Sequence, residues 1–311
     1  MFLFSKKPDL TKEVVEFPSK INNRLEAYVT RLLEEVDIPS FIWGEPYLSI
    51  LGSTTGFLFS GYVIPDEHID RAAEVLEKAK FPPCTLGNKC THFWELCTHP
   101  YPDFHWHTDL RYFELPEGPK DPNDFIFFSG GVHLFRKSRL FWEFPDPPLG
   151  VPPEDDPYYM LTSDPRINQR YPCHVRGRQP KGYYPVKMPV PARYFEAMVL
   201  LRMRDVRARW LDGCWFVNTL YLLDSDHVLL LNLDTGDINE PFREYAKRRI
   251  FPQYAKEVGH EYKYLLELFL DYKRKGKLPP PERPPRDGGE SLENLLQRMK
   301  VAYEQSDLIY G

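Results

Sequence analysis

The sequence has no strong charge of one sign, no long apolar run and no paired-cysteine framework. Each absence removes a class of protein. A net charge of −5 over 311 residues excludes a chain that coats nucleic acid through bulk basicity, while leaving a local basic patch open. No apolar run approaches the roughly 20 residues that a membrane-spanning helix needs. The five cysteines, Cys84, Cys90, Cys97, Cys173 and Cys214, are odd in number and form no CxxC. That favours free thiols in a reducing compartment over a disulfide scaffold. The opening MFLFSKKPDL sets a short apolar stretch before lysines, the reverse of a secretory signal. The expectation is a soluble, cytoplasmic chain with no membrane partner.

What the sequence does have is proline, 31 residues, and aromatics at 15%. The prolines cluster in EFPDPPLGVPPEDDP and KLPPPERPPRDGG. Proline lacks an amide donor and fixes φ, so neither stretch is a helix interior or a central strand. The first reads as an extended loop pinned to the body, the second as an exposed linker before a terminal helix.

Apolar residues at Ile21, Leu25, Val29, Leu32 and Leu33 carry a helical spacing. SFIW, ending at Gly44, suits a short buried strand. PDEHIDRAAEVLEKAKF has Pro65 and acids at its start and apolar residues at Ile69, Ala72, Ala73 and Leu76, an amphipathic helix. THFWEL, FHWHTDLRYF, DFIFFSGGVHLF and RLFWEF are aromatic-rich and partly alternating, and read as strands. From Pro191 the period turns helical, with a break expected near Gly213. Three more helices are expected from NEPFREYAKRRIFPQYAKEV, EYKYLLELFLDYKRKGK and SLENLLQRMKVAYEQ. The organisation expected is an α/β core over 1–185, a helical part over 186–278 packed on it, and a linker with a terminal helix over 279–311. The boundary near 185 need not divide independent domains.

The stretch from Ile42 to Phe81 resembles the nucleotidyltransferase superfamily. Gly44-Glu45 stands at that family's glycine turn, Leu51-Gly52 at its Leu-Gly pair, and Tyr62-Val63-Ile64 at its apolar strand end. VKMPVPARYFEAMVLLRMRD, residues 186–205, is similar to the segment in which a strand enters a helix closed by Arg-Asp. Where the family carries Asp-x-Asp, this chain has Phe59-Ser60-Gly61. The resemblance implies an α/β (α+β) fold, a nucleotidyltransferase-like mixed sheet flanked by helices with a helical C-terminal part. The departure implies no metal-dependent nucleotidyl transfer, because two carboxylates clamp the metal on the triphosphate and neither Phe59 nor Gly61 can. A closer resemblance, over about residues 40–205, is to a group of filamentous-fungal proteins through WGE, VIPDE, LFRKSRLFWEFPDPPLG and MLTSDPRI. The chain also resembles the fungal arginine-containing cyclodipeptide synthases, in size and type rather than by a motif. That likeness implies aminoacyl transfer from aminoacyl-tRNA, with arginine as one substrate and no cofactor.

CTHFWELCTHPYPDFHWHTD holds Cys90, His92, Cys97, His99, His105, His107 and Asp109. On a strand, His105, His107 and Asp109 share one face. Imidazole and carboxylate there can bind zinc or iron, or transfer protons. With no HExxH or zinc-ribbon spacing, the assignment is catalytic rather than metal-binding, and an inert polar face is the alternative. Glu45, at the turn, would attract guanidinium or ammonium, or else simply favour a helix N-terminus. Trp43, Ser53, Glu143, Arg193 and Glu196 complete the expected substrate site. Trp43 equally suits a core, and Arg193, Glu196 and Asp205 equally suit ion pairs.

Arg176, Arg178, Lys181 and Lys187, with Arg248 and Arg249 in YAKRRIF, are the candidates for tRNA contact, against a reading as solvated surface. Sites in open α/β sheets lie at the carboxyl ends of strands. That rule predicts one cleft joining Glu45 to the His105–Asp109 face. The rival functions are a non-catalytic ligand- or protein-binding protein and, third, a His/Asp metalloenzyme.

Overall fold

The computed structural model describes residues 21–53, 59–84, 100–108, 131–167, 176–223, 234–250, 260–281 and 291–301. The chain is a mixed α/β protein around a four-stranded sheet of order β1-β2-β4-β3. The strands are β1 (Phe41–Trp43), β2 (Ser60–Ile64), β3 (Phe104–His107) and β4 (Gly131–Arg136). β1 runs antiparallel to β2, β2 parallel to β4, and β3 antiparallel to β4.

The helix α1 (Asn23–Glu34) starts where Asn22 Oδ1 accepts from the amides of Arg24 and Leu25 at 2.9 and 3.2 Å, a side-chain cap that satisfies otherwise orphaned donors. The short α2 (Glu45–Ile50) follows β1 through Gly44 at φ 77°, a conformation that favours glycine. The helix α3 (Ile69–Lys78) buries Ile69, Ala72, Ala73 and Leu76, the stripe its spacing predicts. It begins four residues after Pro65, behind a 3-10 turn over Asp66–His68.

RLFWEF is not a strand. Arg139 and Leu140 close a one-turn helix, α4 (Lys137–Leu140), that continues directly from β4. Phe141 and Phe144 then enter the core from a turn, ring to ring at 5.0 Å. Their spacing of three, not two, is what aims both inward. The prolyl loop that follows is pinned to the body as expected: Tyr159 donates to the Pro145 carbonyl at 2.7 Å, and Gly150 N donates to Glu34 at 3.2 Å.

Beyond it, β5 (Tyr159–Leu161) and β6 (Lys187–Pro189) form a two-stranded antiparallel pair, so pairing spans residue 185. Then come α5 (Pro191–Arg204), α6 (Arg209–Leu223), α7 (Phe242–Ile250), α8 (His260–Arg274) and α9 (Leu292–Arg298). No break occurs at Gly213, which lies within α6. The interruption falls instead between α5 and α6, where Asp205 accepts from Arg204 at 2.6 Å and from the Trp215 indole at 2.9 Å. The prolines at 279–281 line a groove with Phe269 and Leu292, so this first part of the linker lies against the body.

Phe41, Trp43, Gly61, His133 and His105 share one face of the sheet by register. On its β1 side that face is covered by Phe141 (5.1 Å from Phe41) and, from α6, Trp215 (6.1 Å from Trp43). α3 lies on the other face, where Arg136 donates to the Asp66 carbonyl at 2.9 Å.

A buried ion pair ties this body together. Lys187 of β6 and Glu34 of α1 pair with side chains 0% and 5% exposed. Glu34 also accepts from the Tyr184 hydroxyl at 2.6 Å, and Lys187 donates to the Gly150 carbonyl at 3.1 Å. Removing one partner leaves an uncompensated buried charge. Glu34→Ala is therefore expected to lower unfolding free energy by about 3–5 kcal/mol, while a well-packed apolar pair at both positions should lose much less. Urea denaturation of the single and double variants checks both.

Candidate functional site

Gly44 and Gly61 bring the turn and the carboxylate-deprived positions together. Trp43 is the register partner of Gly61, and Phe59 lies just before β2. A Cβ at Gly61 would meet the Trp43 Nε1 at 2.8 Å and Phe59 Cε2 at 3.0 Å. The indole and the Phe59 ring therefore fill the space over Gly61. Phe59 also stacks on His133, centroids 4.3 Å apart and planes 13° apart. Trp43 belongs to the core, edge-on to Phe135 at 5.1 Å; it is not a substrate contact. Ser53 is buried at the end of the α2 turn, its amide donating to the Leu48 carbonyl at 3.0 Å.

The expected single cleft divides. From Trp43 to His105 the register row crosses Gly61 and His133. Three strand spacings put about 14 Å between the ends of that row, and Glu45 follows Trp43 by two residues at the start of α2. Its charge acts on Tyr194 and Cys214, in α5 and α6, where burial is the main cause of a raised pKa for each. The carboxyl ends of β1 and β3 do lie at the same end of the sheet, as the rule requires, but the amino ends of β2 and β4 stand between them.

At the β3 edge, His105 and His107 do share a face, with rings 5.6 Å apart, and His133 lies 5.7 Å from His105. Burial, then the neighbouring His107, pushes His105 down to about 4, and burial lowers His107. Both are neutral at ordinary pH, acceptors or ligands rather than acids. Cys84 joins them: its thiol and an atom of each imidazole lie within 4.8 Å of one another. Cys84 and His133 were absent from the sequence-based site. Cys84 closes FPPC, where the prolines suggest only a loop, and His133 sits in a strand where a single imidazole raises no signal. Asp109, Cys90, His92, Cys97 and His99 lie outside the described residues.

Glu143, Arg193 and Glu196 come together elsewhere, in a pocket of about 220 Å³ walled by α5, α7 and α8. Neither His105, His107 nor Glu45 lines it. Glu196 pairs with Arg193 at 2.9 Å and accepts from the Asn239 amide at 2.6 Å. Burial raises its pKa against both of those partners. Glu240, Tyr158, Tyr272 and Phe242 complete an acidic and aromatic lining.

The basic residues are largely occupied within the protein. Lys187 is fully buried on Glu34, and Arg176 bonds the buried Glu26 at 2.7 Å and Asn23 at 2.6 Å. Neither is a surface RNA contact, because each neutralises an internal carboxylate. Arg248 bonds Glu244 at 2.9 Å, and Arg249 is 3.9 Å from Glu261. Arg178 donates to the Pro165 carbonyl at 3.1 Å, and Lys181 is exposed. Among the described residues no helix is long and apolar enough to cross a membrane.

No protein-family model, curated protein or solved structure matches the chain.

The packing over Gly61 can be measured. Gly61→Ala is expected to cost about 1–3 kcal/mol, the usual penalty for overpacking. Adding Asp at both 59 and 61 is expected to yield no Mg²⁺-dependent nucleotidyl transfer, since the surrounding shell is aromatic and imidazole. An alanine variant as stable as the parent in denaturant would show that the indole does not fill this space.

Proposed function

We propose that the chain is a nucleotidyltransferase-like scaffold that has left metal-dependent nucleotidyl transfer and recognises a cationic amino-acid moiety, arginine being the best fit. The pocket at the start of α5 carries this reading. Glu143, Glu196 and Glu240 stand there with Arg193 and Lys277. Glu196 is paired with Arg193 at 2.9 Å and Glu240 with Arg243 at 3.8 Å, so the reading rests on a guanidinium joining these carboxylates rather than on an unbalanced charge. Carboxylates hold a guanidinium through paired hydrogen bonds, and the rings of Tyr158 and Tyr272 offer faces for cation–π contact. At about 220 Å³ the pocket is smaller than the roughly 300–1,000 Å³ typical of drug-sized ligands, which suits a single amino-acid moiety.

The scaffold part of the reading draws support from the order strand, glycine turn, short helix, strand, helix between Phe41 and Lys78. It draws further support from a β1–β2 pairing that sets Gly61 beside the turn. Phe59 and Gly61 argue against the metal chemistry of that superfamily.

A second reading extends the first to chemistry: aminoacyl transfer from tRNA to give an arginine-containing cyclic dipeptide. It is favoured by α7, which begins on the pocket wall at Phe242 and carries Lys247 one to two turns on. Among the described residues the pocket lining is acidic, basic, aromatic and apolar, a lining that supports recognition directly.

Calorimetry with argininamide and its neutral isostere citrullinamide tests recognition. Argininamide should bind and citrullinamide should not. Glu196→Gln should weaken binding by roughly 10- to 100-fold, the worth of a hydrogen bond to a charged group. Binding requires ionised Glu196, whose pKa burial raises. Affinity should therefore be full at neutral pH and fall on acidification, beginning above the usual glutamate range. Equal affinity for the two amides would overturn the reading. Cyclic dipeptide in the medium of an expressing host would establish the second.

A further inference from the structure

A thiol and two imidazoles converge at the β3 edge, in a place separate from the acidic pocket. The chain at 82–84 runs antiparallel along β3: Pro83 bridges Trp106, the Cys84 amide donates to the His105 carbonyl, and the His107 amide donates to the Pro82 carbonyl, both at 3.3 Å. This register sets Cys84 opposite His105, with side chains on the same face, and His107 follows two residues on. The three donor atoms lie within 4.8 Å of one another.

We propose that Cys84, His105 and His107 form a three-ligand site for a divalent metal ion of zinc type. Zinc takes sulfur at about 2.3 Å and imidazole nitrogen at about 2.0–2.1 Å, which sets tetrahedral ligand atoms roughly 3.3–3.6 Å apart. The observed atoms, within 4.8 Å of one another, need to close by about 1 Å to reach that spacing. The donor set excludes magnesium and calcium, which prefer oxygen, and matches zinc or another late first-row metal. His107 is buried, while Cys84 and His105 are only half-buried, so the fourth position is reached from the sheet edge. Three protein ligands with an accessible fourth position are the arrangement in which zinc activates water or polarises a carbonyl.

The competing use of the same atoms is a cysteine nucleophile activated by histidine. It uses the same thiol and imidazole atoms, so the two uses are separated by experiment. The metal proposal does not rest on the arginine pocket. Glu196→Gln should leave metal content unchanged, and loss of metal at Cys84 should leave argininamide binding unchanged.

Elemental analysis of full-length protein, purified without metal-affinity steps, is expected to give about one zinc per chain, and Co²⁺ exchange a thiolate-to-cobalt charge-transfer band. Cys84→Ser should remove that band while keeping the melting temperature near that of the parent, since its side chain is half-buried. His105→Ala should lower Co²⁺ affinity by at least about 100-fold, as loss of a direct ligand must exceed the 10- to 100-fold typical of its supporting contacts. Folded parent protein with no bound metal and no band on Co²⁺ addition would overturn the proposal. So would alkylation of Cys84 at the same rate with and without Zn²⁺, which would leave the thiol–imidazole pair as the function of these atoms.

Discussion

The absence of a side chain at Gly61 is the constraint on which the centre of this protein depends. Only a glycine leaves room for the Trp43 indole, whose Nε1 lies 2.8 Å from where a Cβ would stand. The indole in turn meets Phe135 from β4 and Trp215 from α6. One missing methyl group thus lets the helical part seat on the sheet. The same packing fills the space over Gly61 with the Trp43 and Phe59 rings.

The cations tell a parallel story. A basic side chain can bind an external phosphate only if no internal carboxylate holds it. Lys187 and Arg176 are held by Glu34 and Glu26, both nearly inaccessible. Arg204 is held by Asp205, which also takes the Trp215 indole proton. These pairs join α1 to the later part of the chain and fix the turn between α5 and α6. Among the described residues, an acidic, aromatic pocket and a thiol–imidazole cluster share no lining residue.

Local pattern was enough for much of the fold. The stripe of Ile69, Ala72, Ala73 and Leu76 specifies α3 because burial follows helical period, and SFIW specifies β1 because an apolar run before a glycine turn has few other uses. The prolines alone marked 145–157 as an irregular loop. RLFWEF was misread because aromatic density resembles a strand when spacing is ignored, and Gly213 because glycine lowers helix propensity without forbidding a helix. In the candidate sites, residue type was legible: histidines on one strand face, and glutamates able to hold a cation. Partnership was not. Whether Lys187 faces RNA or Glu34, whether Glu45 joins His107 or Cys214, and whether Cys84 meets His105 are settled by contacts between segments tens of residues or more apart. Sequence period determines which way a side chain points from its own element. Only the packing of elements decides what it meets there, because burial and charge pairing act through space and not along the chain.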